Sequence, residues 1–101
     1  MKHVLLIDDN EIDSYIAQYI IVKNKMPQKI SVKSSAIEAL EFLAILKKNE
    51  EEFPDYIFLV IQMPVMNGFE FLDEFTKFPK ALIGHCNVIM LTSSGHERDR
   101  E

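Results

Sequence analysis

The sequence has a single cysteine, no long hydrophobic run and no basic cluster, and each absence excludes a class of protein. With Cys86 alone, the chain cannot form an internal disulfide, which indicates a reducing compartment and predicts a cytoplasmic protein. The apolar runs are far shorter than the roughly 18 residues of a membrane-spanning helix, and the amino terminus lacks the pattern of a signal peptide. A net charge of −5 without a basic patch argues against nucleic acid and membranes as partners.

The composition describes one small globular domain, residues 1–101. Apolar residues make up 48% and charged residues 27% of the chain, as in folded soluble proteins. Neither a GxxxxGK[ST] loop nor a GxGxxG turn is present, so P-loop hydrolysis and dinucleotide binding are not expected. Cys86 is interpreted as a small, partly buried residue and the acidic residues 50–52 as a solvated loop rather than a metal site.

Four short apolar runs alternate with helical patterns along the chain. Residues 4–7, 30–32, 55–61 and 88–91 predict strands, and the lysines that flank the second run give it one wet face, which is typical of a sheet edge. Asn10 is a candidate cap of the first helix. The helical stripes comprise Ile12, Tyr15, Ile16, Tyr19 and Ile20; Ala36, Ala39, Leu40, Leu43 and Leu46; and the inward face Phe69, Leu72, Phe75 and Phe78. A further helix is expected to begin at Ser94, and the alternation predicts an α/β fold with helices on both faces of a parallel sheet.

Polar residues follow the predicted strands at their carboxyl ends, where ligands bind in parallel sheets. Asp8 and Asp9 follow the first strand, and their repulsion costs roughly 4 kcal/mol at about 4 Å and an effective dielectric near 20. A Mg²⁺ ion would offset this cost. The alternative is that one acid caps the following helix while the other is solvated. Thr92, after the fourth strand, either bonds a phosphoryl oxygen or caps a helix.

Three segments together resemble a response-regulator receiver domain of two-component signalling: VLLIDDNEID (4–13), PDYIFLVIQMPVMNGFEFL (54–72) and VIMLTSS (88–94). The resemblance covers nearly the whole chain. It implies a flavodoxin-like, doubly wound parallel sheet in three α/β/α layers with strand order 2-1-3-4-5. It also implies a signalling module rather than an enzyme, with a histidine kinase or phosphotransfer protein upstream and an output protein or domain downstream.

The resemblance also assigns roles to individual residues. Receivers bind Mg²⁺ between an acid pair, a backbone carbonyl and the phosphoacceptor aspartate. The acid pair corresponds to Asp8 and Asp9, with Asp9 the expected direct ligand, and the carbonyl corresponds to that of Gln62. The hydroxyl that follows phosphorylation corresponds to Thr92, and Ser93 is the small residue beside it.

The phosphoacceptor position is where this sequence departs from the family. It lies three residues before Met63 and is occupied by Val60, which has neither a nucleophile nor a metal ligand. Asp55 would lie about 17 Å away along the strand, and the amide of Gln62 is too weak a nucleophile. We therefore predict that no aspartyl phosphate forms at the usual position and that Mg²⁺ binding is weakened.

Two explanations of Val60 stay open. One is a natural, phosphorylation-independent pseudo-receiver that acts as a protein-interaction module. The other is an ordinary receiver in which this position was changed. An alternative from another class is a small Mg²⁺-dependent hydrolase that uses the acid pair, although no nucleophile or general base can be identified for it.

The family also continues past the fourth strand with a helix, a fifth strand and a last helix, about 30–40 residues by ordinary element lengths. Without the fifth strand, residues 88–91 would form an apolar sheet edge that is prone to aggregation. We therefore expect either that the native protein is longer or that another chain covers this edge, as in a dimer through the fourth strand.

Overall fold

A computed structural model describes residues 3–25 and 27–91 of the protein. Its elements are β1 (His3–Ile7), α1 (Glu11–Lys25), β2 (Lys29–Lys33), α2 (Ala36–Leu46), β3 (Tyr56–Val60), α3 (Gly68–Phe75), α4 (Lys80–His85) and β4 (Asn87–Leu91). The predicted alternation of strands and helices is confirmed. The short helix α4 was not predicted, and the helix expected at Ser94 lies outside the described residues.

The four strands form one parallel sheet in the order β2-β1-β3-β4. This order agrees with the first four positions of the flavodoxin-like order implied by the resemblance. It also confirms that β2, with its alternating lysines, lies at an edge. Within the described ranges the sheet has no fifth strand, so β4 forms the other edge.

Helices cover both faces of the sheet, as the fold class requires. Leu5 and Leu59 belong to a core cluster that they share with residues of α2, α3 and α4. Leu6 is fully buried but lies outside that cluster, because alternate residues of a strand point to opposite faces. Helix α1 contacts β1, and its buried Ile21 also lies outside the cluster. Helix α1 therefore packs on the second face.

Helix α2 buries the face that its sequence pattern predicts. Ala36, Ala39 and Leu43 are buried, and Leu40 and Leu46 pack against the same cluster. The side chain of Ser35 accepts a hydrogen bond from the amide of Glu38 at 3.1 Å, which fixes the start of the helix.

Helix α1 presents its predicted apolar stripe to the outside. Exposure of the stripe is between 51% and 75%, for Ile12, Tyr15, Ile16, Tyr19 and Ile20. The helix instead buries Ser14 and Ile21. The short turn after β1 and the Asn10 cap, whose Oδ1 accepts from the amide of Asp13 at 2.9 Å, determine where the helix begins. Helical periodicity identifies an apolar stripe but does not specify which surface that stripe meets.

Helix α3 requires one correction to the predicted inward face. Phe69 is 60% exposed, whereas Phe71, which the pattern omitted, is fully buried. Phe71 stacks on Phe75, one helical turn away, with ring centroids 5.9 Å apart. Leu72 and Phe78 are partly buried against the core as predicted.

Three further predictions concern membrane-spanning helices, Cys86 and the acidic loop. No helix within the described ranges is long and apolar enough to cross a membrane. Cys86 is half-buried, as predicted. Burial, together with the charge of Asp55, raises the pKa of its thiol to about 12, so the protonated form dominates at neutral pH. Residues 50–52 are exposed, as expected for a solvated loop.

Candidate functional site at the carboxyl ends of the strands

Two carboxylates, those of Asp8 and Asp9, follow β1 at the carboxyl ends of the strands, and they differ in burial. The amide of Asp8 donates to the carbonyl of Lys33 at 3.1 Å, which extends the pairing of β1 with β2 by one residue. Asp8 is buried, at 6% exposure, and its Oδ1 accepts a hydrogen bond from the amide of Asn10 at 2.9 Å. Asp9 is exposed. The α1 cap comes from Asn10, so neither acid is needed for capping.

The buried carboxyl of Asp8 is in an unfavourable electrostatic environment. Burial raises its pKa, the hydrogen bond from Asn10 acts in the opposite direction, and the carboxylates of Asp13 and Asp9 add to the rise. A cation bound here would relieve both the desolvation and the repulsion between acids. The repulsion predicted between Asp8 and Asp9 is therefore among the causes that raise the pKa of Asp8.

Strand β3 places Val60 beside these acids. Ile7 pairs with Leu59 in the sheet, so Asp8 and Val60 are the next residues along two neighbouring strands. Val60 is 4% exposed and belongs to the core cluster together with Met63. Its other neighbour is Leu91 of β4.

Thr92 directly follows Leu91, but Thr92 and Ser93 lie outside the described residues. The structure thus brings together the acid pair and Val60. For Thr92 and Ser93, the switch roles implied by the resemblance stay predictions.

The turn after β3 is fixed at both ends by backbone hydrogen bonds. The amide of Ile61 donates to Leu91 O at 2.9 Å, and Ile61 O accepts from the amide of Gly68 at 2.7 Å. A capping box between Asn67 and Glu70 then starts α3, with a bond of 2.9 Å in each direction. Gln62 lies in this turn and is exposed. The ligand predicted there is its backbone carbonyl oxygen, and this role stays a prediction.

Two features of the turn were not predicted from the sequence. Val65 has φ of 72°, which is rare for a β-branched residue. Gly68 lies so close to β3 that an added Cβ would be 3.0 Å from Ile61 Cα and 3.1 Å from Val60 O. The Asn-Gly pair at 67–68 was a signal for the second feature, because a glycine at a helix start can serve close backbone approach.

The oxygen atoms at the carboxyl ends of the strands are of the type that Mg²⁺ prefers, but their number is small. Carboxylate oxygens of Asp8 and Asp9 and backbone carbonyls of the turn are the hard oxygen ligands that Mg²⁺ prefers. Residues 3–25 and 27–91 contain no group of three or more His, Cys, Asp or Glu side chains arranged to hold a metal. The side chain of Val60, buried beside Asp8, offers no metal ligand.

Comparison with known proteins identifies the family to which this parallel sheet, with acids at its carboxyl edge, belongs. The model of the response regulator receiver domain matches residues 4–101, and the chain belongs to this family. It is 35% identical over 98 residues to protein-glutamate methylesterase/protein-glutamine glutaminase 3 of Burkholderia thailandensis, covering 96% of this chain and 25% of that protein. The chain thus spans about a quarter of the length of the curated relatives it first matches.

Solved structures agree with this assignment. A two component response regulator from Cytophaga hutchinsonii superimposes with a TM-score of 0.85 at 30% identity, covering 99% of this chain and 74% of that chain. The receiver domain of the histidine kinase CKI1 from Arabidopsis thaliana, complexed with Mg²⁺ and BeF₃⁻, gives a TM-score of 0.78 at 30% identity, covering 98% and 72%. The flavodoxin-like receiver fold is thereby confirmed.

Proposed function

We propose that this receiver domain acts in two-component phosphorelay signalling through protein contacts, without forming an aspartyl phosphate at the family's usual position. The observation that carries the proposal is Val60. It stands three residues before Met63, as the family's acceptor does, at the carboxyl end of β3 beside the acid pair. Its side chain is hydrocarbon, 4% exposed, and can neither attack phosphorus nor bind a metal.

The other carboxylates of β1 and β3 are poorly placed to take over as acceptor. Asp55 precedes β3, its amide donates to His3 O at 2.8 Å, and its Oδ2 accepts from the amide of His3 at 3.0 Å. It therefore belongs to the amino ends of β1 and β3. Asp8 is buried and already accepts from Asn10, so a phosphodonor has little access to it.

We infer that Mg²⁺ binds weakly at this edge. Asp9 is exposed and free to turn toward a cation, whereas Asp8 would supply charge from the buried side, and the Gln62 carbonyl would complete the protein ligands. A bound Mg²⁺ would neutralise the acid pair and hold an incoming phosphoryl oxygen. The missing carboxylate at Val60 removes one anionic ligand, which lowers the affinity.

The partners follow from the family and are part of the proposal. A histidine kinase or phosphotransfer protein is the upstream partner, and an output protein or domain is the downstream one. The single cysteine with its protonated thiol suits the reducing cytoplasm. The domain itself performs no catalysis in this scheme, because the acid pair is assigned to Mg²⁺ and no further nucleophile or general base is identified among the residues placed at the edge.

Phosphorylation with a small phosphodonor and Mg²⁺, followed by intact-mass measurement, tests the proposal. We expect no mass gain for the wild type and a gain of one acid-labile phosphoryl group for Val60→Asp. Val60→Asn is the matched control, because it has the shape of Asp without its nucleophile. Circular dichroism establishes that each variant is folded.

A phosphoryl gain by the wild type would overturn the proposal. A folded Val60→Asp that gains none would show that position 60 is not equivalent to the family's acceptor.

A further inference from the structure

The helices α1 and α3 begin with asparagine in the same capping role. In α3, Asn67 Oδ1 accepts from the amide of Glu70, and the carboxylate of Glu70 accepts from the amide of Asn67, both at 2.9 Å. In α1, Asn10 Oδ1 accepts from the amide of Asp13, also at 2.9 Å. Asp13 therefore occupies in α1 the position that Glu70 has in α3, the third residue of the helix.

A carboxylate from outside the helix bonds the amide of the capping residue in α1. The amide of Asn10 donates to Asp8 Oδ1 at 2.9 Å. In α3 the corresponding amide bonds Glu70. Side chains of a helix lean toward its amino terminus, and an acid at the third position reaches back to the capping residue. The carboxylates of Asp8 and Asp13 are therefore both directed at the turn of Asn10.

Of the carboxylates that act on Asp8, that of Asp13 acts most strongly. Burial is the largest cause that raises the pKa of Asp8, and the charge of Asp13 adds more to the rise than the charge of the adjacent Asp9 does. Asp13 is half-buried, whereas Glu11, the other acid in the first turn of α1, is exposed and is not among the causes of the rise. The first turn of α1 thus contains one acid whose charge reaches Asp8 and one whose charge does not.

We propose that Asp13 is a positioning residue of the cation site, where its carboxylate holds a water molecule of the Mg²⁺ ion that Asp8 and Asp9 bind. This inference rests on the Mg²⁺ site of the function proposed above. Mg²⁺ gives up water reluctantly and commonly keeps several water molecules beside one or two carboxylates. In the described part of the chain no three His, Cys, Asp or Glu side chains are arranged to hold a metal directly, so Asp13 acts through water and not as a third direct ligand.

The hydrocarbon side chain of Val60 makes the charge of Asp13 important in this chain. Val60 is buried beside Asp8 and supplies no charge to a bound cation. Asp13 adds a negative charge to the acid pair from the start of α1. Residues that contact the ligands of a metal, rather than the metal itself, typically change its affinity by about 10–100-fold when they are replaced. We therefore expect Asp13 to offset part of the affinity that is lost at Val60.

Melting temperatures of the 101-residue chain over a Mg²⁺ titration test the proposal, because each variant is compared with its own metal-free sample. We expect the apparent dissociation constant for Mg²⁺ to rise by about tenfold for Asp13→Asn and by more for Asp9→Asn, at the predicted direct ligand. Glu11→Gln is the matched control, since it also removes one acid from the first turn of α1 and changes the net charge equally. It should bind Mg²⁺ as the wild type does, and circular dichroism establishes that each variant is folded.

Failure of the Mg²⁺ site and failure of the role of Asp13 give different results. A wild type without any response to Mg²⁺ would overturn the Mg²⁺ site itself and this inference with it. A wild type that responds, with equal dissociation constants for Asp13→Asn and Glu11→Gln, would leave that site intact and overturn the role of Asp13. A loss of affinity for Asp13→Asn as large as that for Asp9→Asn would overturn the water-mediated role, because Asp13 would then be a direct ligand.

Discussion

The amide of Asn10 donates a 2.9 Å hydrogen bond to the carboxylate of Asp8, and this bond opposes a rise in the pKa of Asp8. Burial is the largest cause of that rise, and the carboxylates of Asp13 and Asp9 add to it. Because the folded state holds the Asp8 proton more tightly than the unfolded chain does, the stability due to this group is fully present below pH 3.8. It is lost as the pH rises through the raised value.

Replacing the carboxyl group of Asp8 by a neutral amide should remove this pH-dependent loss of stability. We expect Asp8→Asn to be more stable than the wild type at neutral pH in the presence of a chelator, with a difference that shrinks below pH 3.8. Urea unfolding across this pH range measures the difference. Asp73→Asn, at an exposed position of α3, is the control and should give no such pH-dependent gain. A difference for Asp8→Asn that is the same at every pH would contradict the prediction.

Asp8→Asn should also reduce the stabilisation of the protein by Mg²⁺. If the acid pair holds the cation, millimolar Mg²⁺ should raise the melting temperature of the wild type by mass action. Asp8→Asn should respond less, because one anionic ligand is gone. Equal responses to Mg²⁺ would place the cation elsewhere.

Two glycines in helices are predicted to respond to alanine in opposite ways. At Gly68 an added Cβ would meet backbone atoms of Ile61 and Val60 at 3.0 and 3.1 Å, and backbone cannot yield cheaply. We expect Gly68→Ala to cost about 1–3 kcal/mol. At Gly84 nothing lies within 4 Å of the added atom, so Gly84→Ala should stabilise α4 by about 0.5–1 kcal/mol. Denaturant unfolding of both variants checks this contrast, and two losses of equal size would contradict it.

The turn after β3 stores backbone strain at Val65. Its φ is 72°, and such strain in a β-branched residue costs about 1–3 kcal/mol, while its side chain is 89% exposed and contributes little burial. Val65→Asn should therefore stabilise the protein by about 1 kcal/mol, because asparagine tolerates this conformation. Val65→Ile keeps the β-branch and should change little. Equal stabilities of the two variants would mean that the turn is not strained at this residue.

Local signals predicted those parts of the fold that depend on nearest neighbours in sequence. Asn10 caps the first helix as its position indicated, and the acids after β1 lie beside Val60 because parallel strands end at one edge. The outward stripe of α1 and the exposed Phe69 depend on how whole helices dock on the sheet. Periodicity does not contain that information. Helix α4, residues 80–85, is too short to produce a recognisable stripe.

Adjacent isoleucines of α1 provide a direct test of which face packs on the sheet. Ile21 is 4% exposed and Ile20 is 52% exposed, although both lose the same atoms on substitution by alanine. Ile21→Ala should cost about 2–5 kcal/mol, since it leaves a cavity between helix and sheet. Ile20→Ala should change the stability by no more than about 0.5 kcal/mol, as is usual at the surface. Chemical denaturation of the two variants under identical conditions measures the difference, and a larger loss at Ile20 would mean that α1 docks through its apolar stripe.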